Sequence, residues 1–336
     1  MKRLGLMVSG NYPCVRVGKI TAAMNKAGWI HDALGSRPPF QLEYEYRRIY
    51  SNTFMGYDDF KKRIAEHPAE IIHVHNEPNW PVIAAKEATD KPVIFNVHDV
   101  TSIRPDSPFD PYEEEAFRVA DAYVFVSEEQ RQFCIEMGFG KYMEGKHYAV
   151  LPCFVNADVI IDKTPLPHIG GLVYAGGLQK RNEDGAWRDL SALADLCAAK
   201  DVPLHLYPGN PGIDYGLVHE TVLEYSHLIH AMARHDWGFT GATKRILQWD
   251  ISLPNKVFEY MAAGIPFIAF NNPLVKPLCD AGCGVYVNKL EDVPRVVQEV
   301  DPKPLRKAVK LRRESVTMER NIHVITDLYE KVLENA

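Results

Sequence analysis

The sequence predicts an α/β protein made of two doubly wound parallel-sheet domains, and three observations carry that prediction. The chain has 336 residues, which at roughly 100–200 residues per domain is too long for one core and suits two lobes of similar size. Short apolar runs alternate with longer helical patterns from one end to the other, the signature of βαβ units whose sheet is covered on both faces. A proline-bearing stretch at 161–170, with Pro165 and Pro167, then interrupts the alternation without an apolar period and reads as the linker between the lobes.

Taken in order, the first half offers strands over 3–8, 71–74, 93–97, 122–126 and 148–151, with helices over 19–34, 57–66, 81–88, 112–119 and 128–137. After the linker come a strand at 171–175, a helix at 187–199, strands at 204–207 and 237–239, a helix at 255–263, and strands at 267–270 and 284–287. The expected domains are 1–160 and 161–303. The charged, helical tail 304–336 has no core of its own and is expected on the outside, crossing back to the first lobe.

Hydrophobic residues make up 46% of the chain and charged residues 24%, which places it among folded globular proteins rather than disordered ones. With 38 Lys and Arg against 44 Asp and Glu the net charge is −6, so no global positive field draws a nucleic-acid backbone, and nucleic acid is not the expected partner. No apolar run reaches 18 residues and the first apolar stretch is too short for a signal peptide; a cytoplasmic protein is expected. The six cysteines are scattered, and no second Cys/His pair stands at zinc spacing beside Cys279 and Cys283, so they read as reduced thiols and no metal site is expected.

In doubly wound sheets, ligands bind outside the carboxyl ends of the strands, so the residues that follow each strand carry the chemistry; with two such lobes the expected site is the cleft between them. In the first lobe these are Ser9-Gly10-Asn11, His75-Asn76-Glu77, His98-Asp99 and Ser127-Glu128. His98-Asp99 reads equally as a helix cap beside a satisfied histidine, and of His73 and His75 the latter is favoured as the one at the site. The second lobe opens on Ala175-Gly176-Gly177-Leu178-Gln179-Lys180-Arg181, where paired glycines let backbone N–H groups approach a phosphate and the basic residues oppose its charge. The same pattern also describes an ordinary solvated loop.

The segment from Ser252 to Phe270 is the most informative. Pro254 suits a helix start, Gly264 its stop, and Pro266 leads into a β run. Ser252 and Asn255 stand at the start of that helix. Lys256 and Glu259 share its face near the N-terminus, where dipole and cation suit phosphates and the carboxylate suits ribose hydroxyls; a plain i,i+3 surface ion pair is the alternative.

This segment resembles the donor-binding helix and strand of GT-B glycosyltransferases, particularly glycosyltransferase family 4. Other landmarks fall in that family's order over about residues 1–290: Ile72-His73-Val74-His75, Asn96-Val97-His98-Asp99, Ala120-Asp121-Ala122, Val150-Leu151-Pro152, Tyr174-Ala175-Gly176-Gly177 and Gly282-Cys283-Gly284. The resemblance implies sugar transfer from a nucleoside-diphosphate-sugar, UDP- or GDP-linked, to an acceptor hydroxyl of a saccharide, a lipid-linked or another acceptor. It further implies retained configuration and no metal or other cofactor. On it, Glu259 holds the ribose, His98 approaches the anomeric centre, and Gly10, Gly176 and Gly177 face the diphosphate. Lys256 with Lys180 or Arg181 neutralises the leaving phosphate. Arg16, His75, Glu77 and Asp99 are the expected acceptor-side residues, with loops 11–17, 43–52 and 101–110. Two departures stand out: Ile251 occupies the position of the family's first glutamate, and Gly177 that of a basic residue.

Two rival readings fit the same residues. A nucleotide-sugar 2-epimerase keeps the same nucleotide pocket and would need an acid/base set such as Asp99, Glu77 and His219; a degenerate GT-B domain would bind without turnover. The cluster Lys303, Arg306, Lys307, Lys310, Arg312 and Arg313 reads as the solvated face of a helix, with peripheral contact to an anionic membrane as the alternative.

Overall fold

The computed structural model describes residues 2–104, 110–181, 186–207, 217–219 and 223–335. The stretch 105–109 of the expected acceptor loop 101–110 lies outside the described residues. Among the described residues thirteen strands form two all-parallel sheets. The first holds β1 (Arg3–Ser9), β2 (Trp29–Gly35), β3 (Ile49–Ser51), β4 (Ile71–His75), β5 (Val93–Val97), β6 (Ala122–Phe125) and β7 (His147–Val150), in the order β3-β2-β1-β4-β5-β6-β7. The second holds β8 (Leu172–Ala175), β9 (Leu204–Tyr207), β10 (Leu217–Val218), β11 (Trp237–Gly241), β12 (Phe267–Phe270) and β13 (Gly284–Val287), in the order β10-β9-β8-β11-β12-β13. The strand order reverses between β1 and β4 and again between β8 and β11, so each sheet has one topological switch point at which its strand ends splay apart and leave a crevice. Gly10 and Glu77 follow the two strands at the first switch point; Gly176 follows β8 at the second.

Strands β4, β5 and β6 are buried at every residue, which explains why they read as continuous apolar runs rather than as alternating ones. One expectation fails here. The helix predicted over 19–34 ends at Lys26 and is replaced by β2. Gly28, at φ +98°, turns the chain through the left-handed region, and Trp29 to Gly35 then pair in register with Arg3 to Ser9 of β1. The helix expected over 187–199 likewise starts only at Ser191, leaving Trp187 to Leu190 as an irregular segment.

The chain divides into two compact units, Met1–Asn156 with Met318–Ala336, and Ala157–Thr317. The division falls ahead of the expected linker at 161–170, because Ile161 donates its N–H to the Ala262 carbonyl and Arg313 binds both the Ile161 carbonyl and Asp162 at 2.6 Å. The tail is split as well: Pro302–Arg312 belongs to the second unit, and His323–Glu334 to the first. Met318, Ile322, Ile325, Leu328, Tyr329 and Val332 join Met7, Ile20, Trp29 and Ile71 in one core. At about 1.5–3 kcal/mol for each fully buried large apolar side chain, this tail is a structural part of the first unit.

Tyr329 also closes a buried polar relay. Asn96 Nδ2 donates to His73 Nε2 at 3.1 Å, His73 Nδ1–H donates to the Tyr329 hydroxyl at 2.7 Å, and that hydroxyl donates to His31 Nε2 at 3.5 Å. Burial pushes the His31 imidazole down to about 3 and holds His73 well below its ordinary value, so both are neutral and this one set of donor directions serves all four groups. Tyr329→Phe, which strands His73 Nδ1–H, is expected to cost about 1–3 kcal/mol. A thermal melt showing an unchanged midpoint would count against the relay.

Candidate active site

The second unit builds the clearest site. Tyr260 on the helix Asn255–Ala262 lies against Gly238 of β11, where a Cβ would meet the ring at 2.4 Å, and its hydroxyl donates to the Phe239 carbonyl at 2.8 Å. Gly264 at φ +73° ends the helix, with Gly264 N–H bonded to the Met261 carbonyl and Ile265 N–H to that of Tyr260. The helix is thus fixed at both its middle and its end. Its N-terminus, with no side-chain cap, presents Asn255 and Lys256, while Glu259 is buried at 9% exposure one turn on.

Two cations converge on the Gly176-Gly177 turn. Lys256 Nζ lies 3.5 Å from the point a Cβ on Gly176 would occupy, and Arg188 Nη1 lies 3.4 Å from the corresponding point on Gly177. Both side chains are held by aromatic faces: the ammonium sits 4.1 Å from the Tyr174 ring centroid and 5.7 Å from that of Trp249, and the guanidinium sits 3.9 Å over Trp187. Trp187 and Trp249 meet edge to face at 6.2 Å. Gln179 clamps the segment, its Oε1 accepting the N–H groups of Trp187 and Arg188 while its own N–H donates to the Arg188 carbonyl. Among the described residues neither cation makes an ion pair, although both are half-buried. Such a pair of desolvated positive charges is poised for an anion.

Sequence reasoning missed Arg188. The only signal was the Trp187-Arg188 doublet, which reads as a helix start. Of the two basic residues it favoured, Arg181 is exposed and makes a bidentate pair with Asp195 at 2.7 and 3.0 Å, and Lys180 is exposed. Gly176, at φ +140°, and Gly177 stand at the end of β8 as expected. Ser252 donates to the Gln248 carbonyl at 2.6 Å. Ile251 is buried, and its neighbour Asp250 pairs with Arg245, so the position of the family's first glutamate carries no carboxylate into this site.

In the first unit the carboxyl ends of β1, β4 and β5 gather the other candidates. Gly10 is crowded by Pro78 and Pro81, a Cβ there meeting Pro78 at 2.7 Å. Glu77 and Asp99 share the Arg104 guanidinium. Burial, together with the charge of Asp99, holds the Glu77 carboxyl above its ordinary range against the pull of Arg104. Two expected acceptor-side residues are enclosed instead. Arg16 is 1% exposed, donating to the Leu151 carbonyl at 2.7 Å and to Cys153 Sγ at 3.2 Å, because it sits in the first turn of the helix Val15–Lys26 with its side chain directed under the end of β7. His75, the last residue of β4, is flanked by Ser9 and Asn96 and stacked on His73 at 4.5 Å, with both ring nitrogens buried and without a hydrogen-bond partner among the described residues. His98 is half-buried, its backbone N–H held by Asn76 Oδ1 at 2.7 Å and its Nε2 lying 3.7 Å from Cys153 Sγ.

The acid/base set considered for an epimerase is divided between the units: Glu77 and Asp99 form an ion triad with Arg104 in the first, and His219 belongs to the second, stacked on Tyr207 at 4.5 Å. The basic tail cluster is divided too. Arg306 is drawn to the His235 carbonyl and Asp236, and Arg313 is buried, leaving Lys303, Lys307, Lys310 and Arg312 exposed. No helix of the described residues is long and apolar enough to cross a membrane, and among those residues no three His, Cys, Asp or Glu side chains gather as metal ligands.

Two parallel sheets wound in this order, with a glycine turn and a helix N-terminus at the second switch point, are the GT-B fold. The chain resembles the GT-B glycosyltransferases: the sequence model for Glycosyltransferase Family 4 matches residues 25–159. Solved structures align over nearly the whole chain. HepE of Anabaena, in complex with UDP and glucose, is 12% identical over 100% of both chains at a TM-score of 0.67. An α-glucosyltransferase in complex with UDP and DNA is 12% identical over 99% of this chain and 100% of its own, at 0.66. An α,α-trehalose-phosphate synthase (UDP-forming) from Burkholderia vietnamiensis is 10% identical over 99% and 97%, at 0.63. A comparison with curated proteins finds no match.

Proposed function

We propose that the chain is a hexosyltransferase that moves a sugar from a nucleoside-diphosphate-sugar to an acceptor hydroxyl, with retention and without a metal. The observation that carries this reading is the convergence of Lys256 and Arg188 on the Gly176-Gly177 turn with no ion pair among the described residues. A diphosphate is the anion that suits two cations on adjacent glycines, and the uncapped N-terminus of Asn255–Ala262 adds its dipole. As the bond to the anomeric carbon breaks, charge develops on the β-phosphate, and these preorganised groups stabilise it where it forms. Glu259 takes the ribose hydroxyls. In the first unit His98 is the residue assigned to the sugar, and Glu77 and Asp99, held by Arg104, are those assigned to the acceptor. UDP is the nucleotide first expected, since the HepE and α-glucosyltransferase structures hold UDP.

Calorimetry with UDP, GDP, ADP and TDP and their sugars tests the donor site. One nucleotide family is expected to bind, and Arg188→Ala to weaken that binding by about tenfold, the loss of one charge-assisted contact. Arg181→Ala, which removes an exposed pair with Asp195, is expected to change it less than about twofold. The opposite ranking would return the phosphate role to Arg181. Absence of binding by all four families would remove the assignment.

A further inference from the structure

The first unit encloses two basic side chains of the helix Val15–Lys26. Arg16 is buried; among the described residues its polar partners are a backbone carbonyl and Cys153 Sγ and its Nε has none, and Lys19, three residues on, is 0% exposed. A buried guanidinium is costly unless an anion accompanies it. Facing Cys153 are Arg16 and Lys19 from the helix Val15–Lys26 and His98 from the end of β5; facing His98 are Cys153, Cys14 and Asp99, the last shared with Arg104; His75, His73 and His31 line the far side and are held neutral by burial. Among the described residues the group hydrogen-bonded to Arg16 that is able to become an anion is the Cys153 thiol, 3.2 Å from Arg16 Nη1 and 3.7 Å from His98 Nε2.

We propose that Cys153 is a positioning residue: it gives its proton to His98 Nε2 and, as a thiolate between Arg16 and His98, holds that ring as an imidazolium whose Nδ1–H is left for substrate. The proton balance is internal, with Sγ–H broken and Nε2–H formed. His98 Nδ1 has no hydrogen-bond partner among the described residues, so the ring's remaining donor is the one available to a sugar oxygen. His98 is therefore a donor and not a base. Burial opposes ionisation of Cys153, but Arg16 and the bond to His98 prevail and bring the thiol down to about 7. Burial likewise disfavours the imidazolium, and the bond to Cys153 with the charges of Asp99 and Cys153 overrides it, pushing His98 up to about 10. A lowered thiol loses its charge as pH falls through about 7 and a raised imidazole loses its own as pH rises through about 10, so the pair exists between those limits.

This rests on the transferase reading only in giving His98 a substrate; the pair itself is tested without one. NMR of the wild-type chain labelled at cysteine Cβ and at histidine is expected to show Cys153 titrating near pH 7 and His98 protonated at pH 9. Cys153→Ser is expected to lower the His98 midpoint by about one pH unit or more. With a donor and acceptor in hand, the same variant is expected to lose the acid limb of the kcat profile and on the order of tenfold in kcat, with nucleotide affinity within about twofold. A wild-type Cys153 that stays protonated to pH 9 overturns the proposal. So does a His98 midpoint that Cys153→Ser leaves in place, or, if that variant does not fold, one that Cys153→Ala leaves in place. Failure of nucleotides to bind would fell the transferase reading and leave the NMR result to decide the pair.

Discussion

Lys256→Ala is expected to lower turnover by about 10²–10³-fold, the scale on which loss of one preorganised charge at a developing anion is felt. Ground-state affinity for the nucleoside diphosphate is expected to fall only about tenfold, because Arg188 and the backbone of the Gly176-Gly177 turn remain. The split arises from geometry. Lys256 Nζ is held 4.1 Å from Tyr174 and 3.5 Å from the Gly176 Cβ position, so it needs no reorganisation as charge builds. Lys256→Arg is expected to recover little, since a planar guanidinium has to fit a space the aromatic rings set for a compact ammonium. Steady-state kinetics beside calorimetry separates the two effects. An equal loss in kcat and in binding would make Lys256 a binding residue alone.

Glu259→Ala is expected to weaken binding of the nucleoside diphosphate by about 10–150-fold, or roughly 1.5–3 kcal/mol for a hydrogen bond to a charged group. Glu259 is 9% exposed on a helix that Tyr260 pins to β11, so the carboxylate is placed with little freedom to lose on binding. The 2′,3′-dideoxynucleoside diphosphate supplies the control. Wild type is expected to bind it weakly, and Glu259→Ala to bind it no worse than wild type does. If the substitution costs the same affinity with either ligand, Glu259 does not hold the ribose.

Much of the frame was legible in the sequence. The apolar runs that became β4, β5 and β6 showed as such because both faces of a parallel sheet are covered, and Pro254, Gly264 and Pro266 marked the helix Asn255–Ala262 because their backbone preferences act locally. β2 was hidden. The apolar residues from 19 to 34 satisfy a helical period, and only the left-handed turn at Gly28 divides them. The tail read as charged and helical, and that six of its residues complete the first core is a matter of which surface was left uncovered.

The residues that follow a strand end are legible in the sequence, since a parallel strand delivers its successor to the carboxyl edge: Gly10, Glu77 and His98 in the first unit, Gly176 and Gly177 in the second. Lys256 and Glu259 followed from helix spacing. Arg188 was beyond reach because its place depends on Gln179 folding an irregular segment back onto the glycine turn. In the sequence Cys153 is one of several scattered thiols, since nothing in the chain sets it beside Arg16, 137 residues away. What the sequence by itself determined is the class of fold and the residues tied to strand ends and helix turns, where the chemistry is local in the chain. Only the tertiary structure decided which cations gather on the glycine turn and which thiol lies beside one, because the cost of a charge depends on what surrounds it in space.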